Sequence, residues 1–114
     1  MSERFDVIVA GGGMVGATVA ALLARAGMRV AVVEQQPTNS NASAEAPDLR
    51  VSSINLGAAE ILKRAGAWGA ITRRRACPFR RVRVWDRSGA ETAFDAGETG
   101  HEWLGWFVEN GRAQ

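Results

Sequence analysis

Three glycines near the start of the chain have the spacing of a phosphate-binding turn. Gly11, Gly13 and Gly16 follow the apolar run Val7 to Ala10 and precede a small-residue segment with helical spacing. The first glycine allows a sharp turn, the second lets a phosphate approach the backbone, and the third lets the helix pack closely on the strand. The start of that helix would also present backbone N–H groups and a partial charge of about +0.5. We therefore expect a pyrophosphate to bind on this turn.

A carboxylate follows at the position that a dinucleotide-binding unit requires. A second apolar run leads to Glu34, 23 residues after Gly11. This is close to the spacing of about 20 at which an acid accepts a hydrogen bond from a ribose hydroxyl, and an acid there would repel a 2′-phosphate. Strand, glycine turn, helix, second strand and acid all occur in the expected order, which favours a dinucleotide site over a purely structural glycine turn. The pattern alone does not distinguish FAD from NAD.

Periodicity predicts the elements that hold these residues in place. The run Val7 to Ala10 has no polar alternation, as expected for a parallel strand buried on both faces. A helix should begin at Met14 and stop at Gly27. After Glu34, a polar segment rich in small residues and containing two prolines predicts a loop near the ligand.

The second half of the chain predicts helices followed by antiparallel strands. Asn55 can cap a helix that ends at Gly66, and a short helical turn should follow it. The apolar face of the capped helix is predicted to contain Ala58, Ile61, Leu62 and Ala65.

Arginines alternate with valines from Arg81 to Val84, which indicates a half-exposed strand with a charged outer face rather than a nucleic-acid surface. Segments 91–95 and 103–108 read as further strands, the first as partner of the arginine strand. His101, the only histidine, is interpreted as a loop residue, and we expect no metal site.

Composition indicates a globular chain with a reducing environment. The 114 residues carry a net charge of +2 and a single cysteine, so no intrachain disulfide can form, which is typical of the cytoplasm. The N-terminus does not resemble a signal peptide. Because doubly wound sheets usually need five or six strands, 114 residues are few for an enzyme that holds a dinucleotide and a second substrate. We expect a part of a longer protein.

Three further segments complete a resemblance to a known family. Together with the glycine turn, residues 49–54 (LRVSSI), 62–68 (LKRAGAW) and 104–110 (LGWFVEN) resemble the flavoprotein monooxygenases of ubiquinone biosynthesis, in the p-hydroxybenzoate hydroxylase-like superfamily. The resemblance extends over nearly the whole chain but corresponds to only about the first third of such an enzyme.

The resemblance implies a set of FAD contacts and no catalytic residue within this chain. The glycines would hold the FAD pyrophosphate, Glu34 the adenosine ribose, and Arg50 and Asn110 other parts of FAD, with Val51 and Ser52 close to the flavin. On residue type alone a solvated surface arginine is the commoner case, but the resemblance favours a contact between Arg50 and FAD. The expected cofactor-binding residues are Gly11, Gly13, Met14, Val15, Gly16, Glu34, Gln35, Arg50, Val51, Ser52 and Asn110.

The expected fold is α/β, a Rossmann-like FAD-binding βαβ unit with a small additional antiparallel β segment, in a sheet that this chain leaves incomplete. One domain would contain a βαβ core (4–34), a loop (35–49), an FAD-contacting segment with helices (50–75) and the β segment (79–108). An incomplete sheet exposes strand edges, so homo-association is also expected.

The activity implied by the resemblance is hydroxylation of a polyprenyl phenol or quinol ring with FAD as cofactor, NAD(P)H as co-substrate and O₂. The expected partners are these small molecules and a membrane surface reached through the lipid substrate, with no nucleic acid. Two alternatives remain at this point: the NAD-binding domain of a dehydrogenase, and a non-catalytic nucleotide-binding module.

Overall fold

The computed structural model describes residues 2–36 and 50–109 of the chain. Most of the predicted loop 35–49, and the expected FAD contact Asn110, lie outside these residues. The elements in chain order are β1 (Val7–Ala10), α1 (Met14–Arg25), β2 (Val30–Val33), β3 (Val51–Asn55), α2 (Leu56–Arg64), α3 (Trp68–Arg74), β4 (Ala76–Phe79), β5 (Arg81–Trp85), β6 (Glu91–Asp95) and β7 (Gly105–Glu109), with a 3-10 turn at Ala96–Thr99.

The first part of the chain is a βαβ unit, as predicted. Strands β1 and β2 are parallel, with partners running from Val7 opposite Val30 to Ala10 opposite Val33, and α1 connects them. The helix begins directly after the glycine turn, and Gly27 follows it with a φ of +90°, a conformation that glycine adopts without strain. The glycine turn and the helix stop that define the βαβ unit are therefore both local features of the sequence.

The expectation that β1 is buried on both faces was wrong for the described residues. Val7 and Val9 are half-buried, and the side chain of Val9 lies beside α1 near Gly16, whereas Ile8 is 68% exposed. Helix α1 covers one face of the β1–β2 pair, and within residues 2–36 and 50–109 nothing covers Ile8 to a comparable degree. The apolar residues of β1 could be buried on both faces of the strand, but in the described residues only one face is covered.

The second part contains a three-stranded antiparallel sheet with β7 in the centre. Strand β3 pairs with β7 from Val51 opposite Glu109 to Asn55 opposite Gly105, and β4 pairs with the other side of β7. Strand β4 was not predicted, because Pro78 interrupts its pattern. As an edge strand it tolerates a proline, whose missing N–H need not face a partner. The predicted antiparallel segment 79–108 thus begins at Ala76, and its strands belong to two separate sheets.

Helices α2 and α3 pack on one face of this three-stranded sheet. Four residues form the buried centre of the contact: Ile54, Ala59, Ile71 and Val108, all at most 8% exposed. Next to them, the rings of Trp68 and Trp106 meet edge to face with centroids 5.0 Å apart.

The predicted cap of α2 is confirmed, but part of its predicted apolar face is wrong. The side chain of Asn55 accepts a hydrogen bond of 2.8 Å from the N–H of Ala58. Ala59 is 1% exposed whereas Ile61 is 48% exposed. The small Ala59 side chain lies against the sheet, so the helix is turned about its axis relative to the predicted orientation.

Strands β5 and β6 form a separate antiparallel pair, as predicted, which we call the ribbon. On one face the guanidinium groups of Arg81 and Arg83 contact the carboxylates of Asp95 and Glu91 at 2.9 and 2.8 Å. The opposite face was expected to be buried, yet it is also largely open, since Phe94 is 55% exposed. No described element packs closely over it.

Candidate cofactor site

The glycine turn joins β1 to α1 in the geometry that its spacing predicts. Gly11 has a φ of +103°, and its N–H donates a 2.7 Å hydrogen bond to the carbonyl of Val33. A Cβ added at Gly16 would overlap the carbonyl oxygen of Gly11 and touch Val9, so the third glycine is required by close packing. A Cβ at Gly13 would meet no atom within 4 Å, which leaves open space at the position where a phosphate approaches the backbone.

Glu34 points at the glycine turn and is fixed there by backbone donors. The N–H of Gly12 donates to Oε2 of Glu34 at 2.6 Å, and the N–H of Gln36 donates to Oε1 at 2.9 Å. The hydrogen bonds from Gln36 and Gly12 hold the pKa of the Glu34 carboxyl below its ordinary value, against a smaller opposing effect of desolvation. The carboxylate is therefore ionised and oriented, and its remaining lone pairs can accept from hydroxyl groups of a ligand.

The first turn of α1 completes the cradle between the glycines and Glu34. Helix α1 begins at Met14 with Gly13 at the N-cap, where no side chain supplies a capping hydrogen bond, and no acidic residue lies in the first turn. The N–H groups at a helix start have no partner inside the helix and attract an anion. Open space at Gly13, backbone donors and an anchored carboxylate fit the pyrophosphate and ribose of a dinucleotide.

The remaining expected contacts fall into two groups. Val15 lies in the first turn of α1 with 79% exposure, and Gln35 follows Glu34 directly, so both lie beside the turn. Arg50 directly precedes β3, and Val51 and Ser52 are the first residues of that strand, which belongs to a different sheet from β1 and β2. The hydrogen bonds of the described residues thus bring Glu34 to the turn, whereas the β3 residues form a second cluster.

Sequence reasoning missed one participant at the glycine turn and the two members of an ion pair beside the three-stranded sheet. Gly12 stands at a variable position of the glycine pattern, yet its N–H holds Glu34, and a Cβ there would lie 3.1 to 3.5 Å from the Glu34 side chain. A run of three consecutive glycines was the available signal. The other two are Arg75 and Glu109, which form an ion pair at 3.5 Å between positions 34 residues apart. No short-range sequence pattern predicts an ion pair between residues so far apart in the chain.

Neither a membrane span nor a metal cluster is found in the part of the chain that the structure describes. No helix there has the length and apolar character needed to cross a bilayer. No group of three or more histidine, cysteine, aspartate or glutamate side chains there is arranged to hold a metal ion.

Known proteins with similar sequences include a demethoxyubiquinol hydroxylase and a ubiquinone biosynthesis monooxygenase. The chain is 36% identical over 109 residues to the 3-demethoxyubiquinol 3-hydroxylase of Escherichia coli (strain K12), covering 96% of this chain and 28% of that protein. It is 37% identical over 120 residues to the mitochondrial ubiquinone biosynthesis monooxygenase COQ6 of Homo sapiens, covering 93% of this chain and 24% of that protein. The chain therefore spans less than a third of the relatives it matches.

Solved structures with a similar fold are also monooxygenases. The p-nitrophenol 4-monooxygenase of Pseudomonas putida superimposes with a TM-score of 0.69 at 25% identity, covering 99% of this chain and 28% of that one. A probable FAD-dependent monooxygenase from Pseudomonas aeruginosa gives a TM-score of 0.66 at 25% identity, covering 97% and 28%. The described elements thus form an α/β arrangement similar to part of FAD-dependent monooxygenases.

These similarities agree with the expectation drawn from the glycine turn and from residues 49–54, 62–68 and 104–110. The model of the FAD binding domain matches residues 4–102, which is most of the chain. The chain belongs to the FAD binding domain family.

Proposed function

We propose that this chain is the FAD-binding part of a flavin-dependent monooxygenase that hydroxylates a polyprenyl phenol or quinol ring, with NAD(P)H and O₂ as co-substrates. The observation that carries the proposal is the 2.6 Å hydrogen bond from Gly12 to Glu34, which joins the phosphate turn to the ribose acid. The names of the relatives supply the reaction class, since they include a demethoxyubiquinol hydroxylase and a ubiquinone biosynthesis monooxygenase.

In this proposal the βαβ unit is Rossmann-like and belongs to a sheet that further strands complete. Gly11, Gly13 and Gly16 bend the chain and keep the approach to the backbone clear, and the N–H groups that start α1, from Met14 and Val15 onward, face the pyrophosphate. Glu34 accepts from the adenosine ribose, with Gln35 beside it. The exposure of Ile8 supports the proposal that further strands and helices complete this sheet, because both faces of a parallel sheet are normally covered.

The second cluster would lie toward the flavin end of the cofactor. Arg50 carries a charge that suits a phosphate or a flavin oxygen, and Val51 and Ser52 follow it on β3. Asn110 completes this group. When bound, FAD supplies the redox chemistry, while the residues of this chain bind it, orient it and keep water from it.

The proposal has two further parts, contact with a membrane surface and association of the protein with itself. A lipid substrate would bring the cytoplasmic protein to a membrane surface as a peripheral partner. The open edges of its sheets would favour homo-oligomers. Both parts can be tested by vesicle co-sedimentation and by light scattering on the full-length protein.

The two alternative functions lack a supporting observation. A dehydrogenase domain would use the same glycine turn, but the relatives named above are monooxygenases and the matching family binds FAD. A dehydrogenase domain would also leave Arg50, directly before β3, without a role. The comparisons favour the monooxygenase over both.

The test is the colour and the ligand of the purified full-length protein. We expect yellow protein with a flavin absorbance band in the blue and release of FAD on heat denaturation. Colourless protein that binds NADH would support the dehydrogenase, and colourless protein that binds neither nucleotide would support the non-catalytic module. Either result would overturn the proposal.

A further inference from the structure

The amino ends of β1 and β2 lie at the opposite end of the βαβ unit from the phosphate turn. The two strands are parallel and start side by side at Val7 and Val30, whereas the turn at Gly11 follows the other end of β1. The four residues of β1 separate the two ends by about 13 Å. A partner that binds at the amino ends would therefore leave the cofactor cradle open.

A surface pocket of about 580 Å³ lies at these amino ends. The residues directly before β1 and the start of β2 line it, among them Glu3, Arg4, Phe5 and Arg29. Asp6 ties the two segments together, because its N–H donates to the carbonyl of Arg29 at 2.8 Å and its Oδ2 accepts from the N–H of Arg29 at 2.7 Å. The pocket is thus built on anchored backbone, and strand pairing brings two arginines to it from distant parts of the sequence.

Two guanidinium groups give this pocket its positive charge. Arg4 and Arg29 are both exposed, and neither forms an ion pair with another residue of segments 2–36 and 50–109. Glu3 supplies the acidic side chain of the lining. Arginine is weakly hydrated compared with lysine and can donate two N–H groups at once to the oxygens of a phosphate. The pocket therefore suits a phosphate group.

Further basic residues extend the positive charge beyond the pocket. Helix α1 runs back to the amino ends of the strands and has Arg25 in its last turn. The Nη1 atom of Arg25 lies at the end of α2, since a Cβ added at Gly66 would be 2.9 Å from it. The last turn of α2 contains Lys63 and Arg64, the first of which pairs with Glu60. An anionic surface would thus meet positive charge over an area wider than the pocket.

Exposed apolar side chains accompany these charges. Phe5 lines the pocket and is 45% exposed, and Met28, next to Arg29 in the chain, is 38% exposed. Binding to an anionic bilayer strengthens both with the apolar area buried at the headgroup boundary and with the basic charge near the surface. A small soluble phosphate ester would use the arginines alone. The combination therefore favours a lipid surface.

We propose that the amino ends of β1 and β2 dock on an anionic lipid bilayer, with a lipid phosphate bound by Arg4 and Arg29 and with Phe5 inserted at the headgroup boundary. The inference rests on the proposed function, because a lipid substrate explains why the protein meets a membrane. It adds the surface that makes the contact. The phosphate turn and the β3 residues have no part in it.

The test is co-sedimentation of the full-length, FAD-loaded protein with vesicles of phosphatidylcholine alone, or of phosphatidylcholine and phosphatidylglycerol in equal amounts. We expect much stronger binding to the anionic vesicles, weakened by high salt. The double variant Arg4→Gln, Arg29→Gln should lower the partition coefficient about thirtyfold, since each arginine near such a surface contributes about fivefold. Both positions are exposed, so the variant should fold and retain FAD.

Matched variants on the ribbon separate the docking surface from overall charge and apolar content. Arg83→Gln with Arg87→Gln removes the same charge from exposed positions and should bind anionic vesicles like wild type. Phe5→Ala should weaken binding about tenfold because less apolar surface is buried. Phe94→Ala, at a 55% exposed position, should not weaken it.

Equal binding to both kinds of vesicle, or a double variant of Arg4 and Arg29 that binds like wild type, would overturn the docking surface. Displacement of the protein from anionic vesicles by glycerol 3-phosphate at matched ionic strength would also overturn it, and would identify the pocket as a site for a soluble phosphate ester. Wild-type protein that holds no FAD would instead contradict the proposed function, and the comparison of vesicles would still decide the docking surface.

Discussion

In the βαβ unit the groups proposed to bind the cofactor are mostly backbone atoms, whereas those proposed on the three-stranded sheet are side chains on a packed scaffold. Around Glu34 the partners are the N–H groups of Gly12 and Gln36, and only Ala20 of the described βαβ residues is counted among the buried core. The sheet region buries Ile54, Ala59, Ile71 and Val108. The first proposed set of contacts therefore depends on backbone geometry and the second on packing, and mutations should separate the two.

The largest expected effect is at the third glycine of the turn. Gly16→Ala places a Cβ on the carbonyl of Gly11, so the turn must open, and we expect no saturable FAD binding in a fluorescence titration. Gly69→Ala is the control, because a Cβ there meets no atom within 4 Å and alanine favours the helix. Tight binding by Gly16→Ala would refute a site defined by backbone geometry.

The second-largest effect is expected in the packed sheet region. There a substitution should lower the stability of the protein and leave its affinity for FAD unchanged. Ile71→Ala removes a buried side chain between α3 and the sheet, and we expect the free energy of unfolding to fall by about 3 kcal/mol. The affinity of the folded protein for FAD should not change. Ile61→Ala, at a 48% exposed position, should cost at most about 0.5 kcal/mol in urea unfolding. Equal losses in both variants would show that the packed core is not where the register places it.

A smaller effect is expected at the arginine that precedes β3. If Arg50 contacts FAD, Arg50→Ala should weaken FAD affinity about tenfold, as for one hydrogen bond to a charged group. Arg87→Ala, in the exposed turn of the ribbon, provides the control. Unchanged FAD affinity in Arg50→Ala would restrict the cofactor contacts to the βαβ unit.

The smallest effect is a pH dependence. Hydrogen bonds from Gln36 and Gly12 lower the pKa of Glu34 from its ordinary value of 4.5. A depressed pKa adds stability that is present above pH 4.5 and is lost as the pH falls through the pKa of the folded state. The difference in unfolding free energy between wild type and Glu34→Gln should therefore shrink below pH 4.5. A constant difference down to pH 2, by urea titration, would mean that the carboxylate is not held by these donors.

The same contrast explains what the sequence could and could not reveal. The glycine turn, α1 and Glu34 depend on local spacing, so they were predicted with the correct boundaries, and Asn55 was recognised as a cap for the same reason. The pairing of β3 with β7 joins residues 50 to 58 positions apart, and short-range periodicity does not predict it. The Arg75–Glu109 pair depends on the pairing of β4 with β7, which also joins distant residues, so it could not be predicted either. The roles of the expected FAD contacts remain predictions.

Pro78 has a consequence for how this protein can associate. Pro78 lies in the edge strand β4, opposite Trp106, and has no amide hydrogen to donate to an added strand. A foreign strand that docked there would meet a break in its ladder, which is how natural sheets discourage fibre growth. Recruitment of further strands to this sheet should then be one-sided, at β3, next to the residues proposed to touch the flavin.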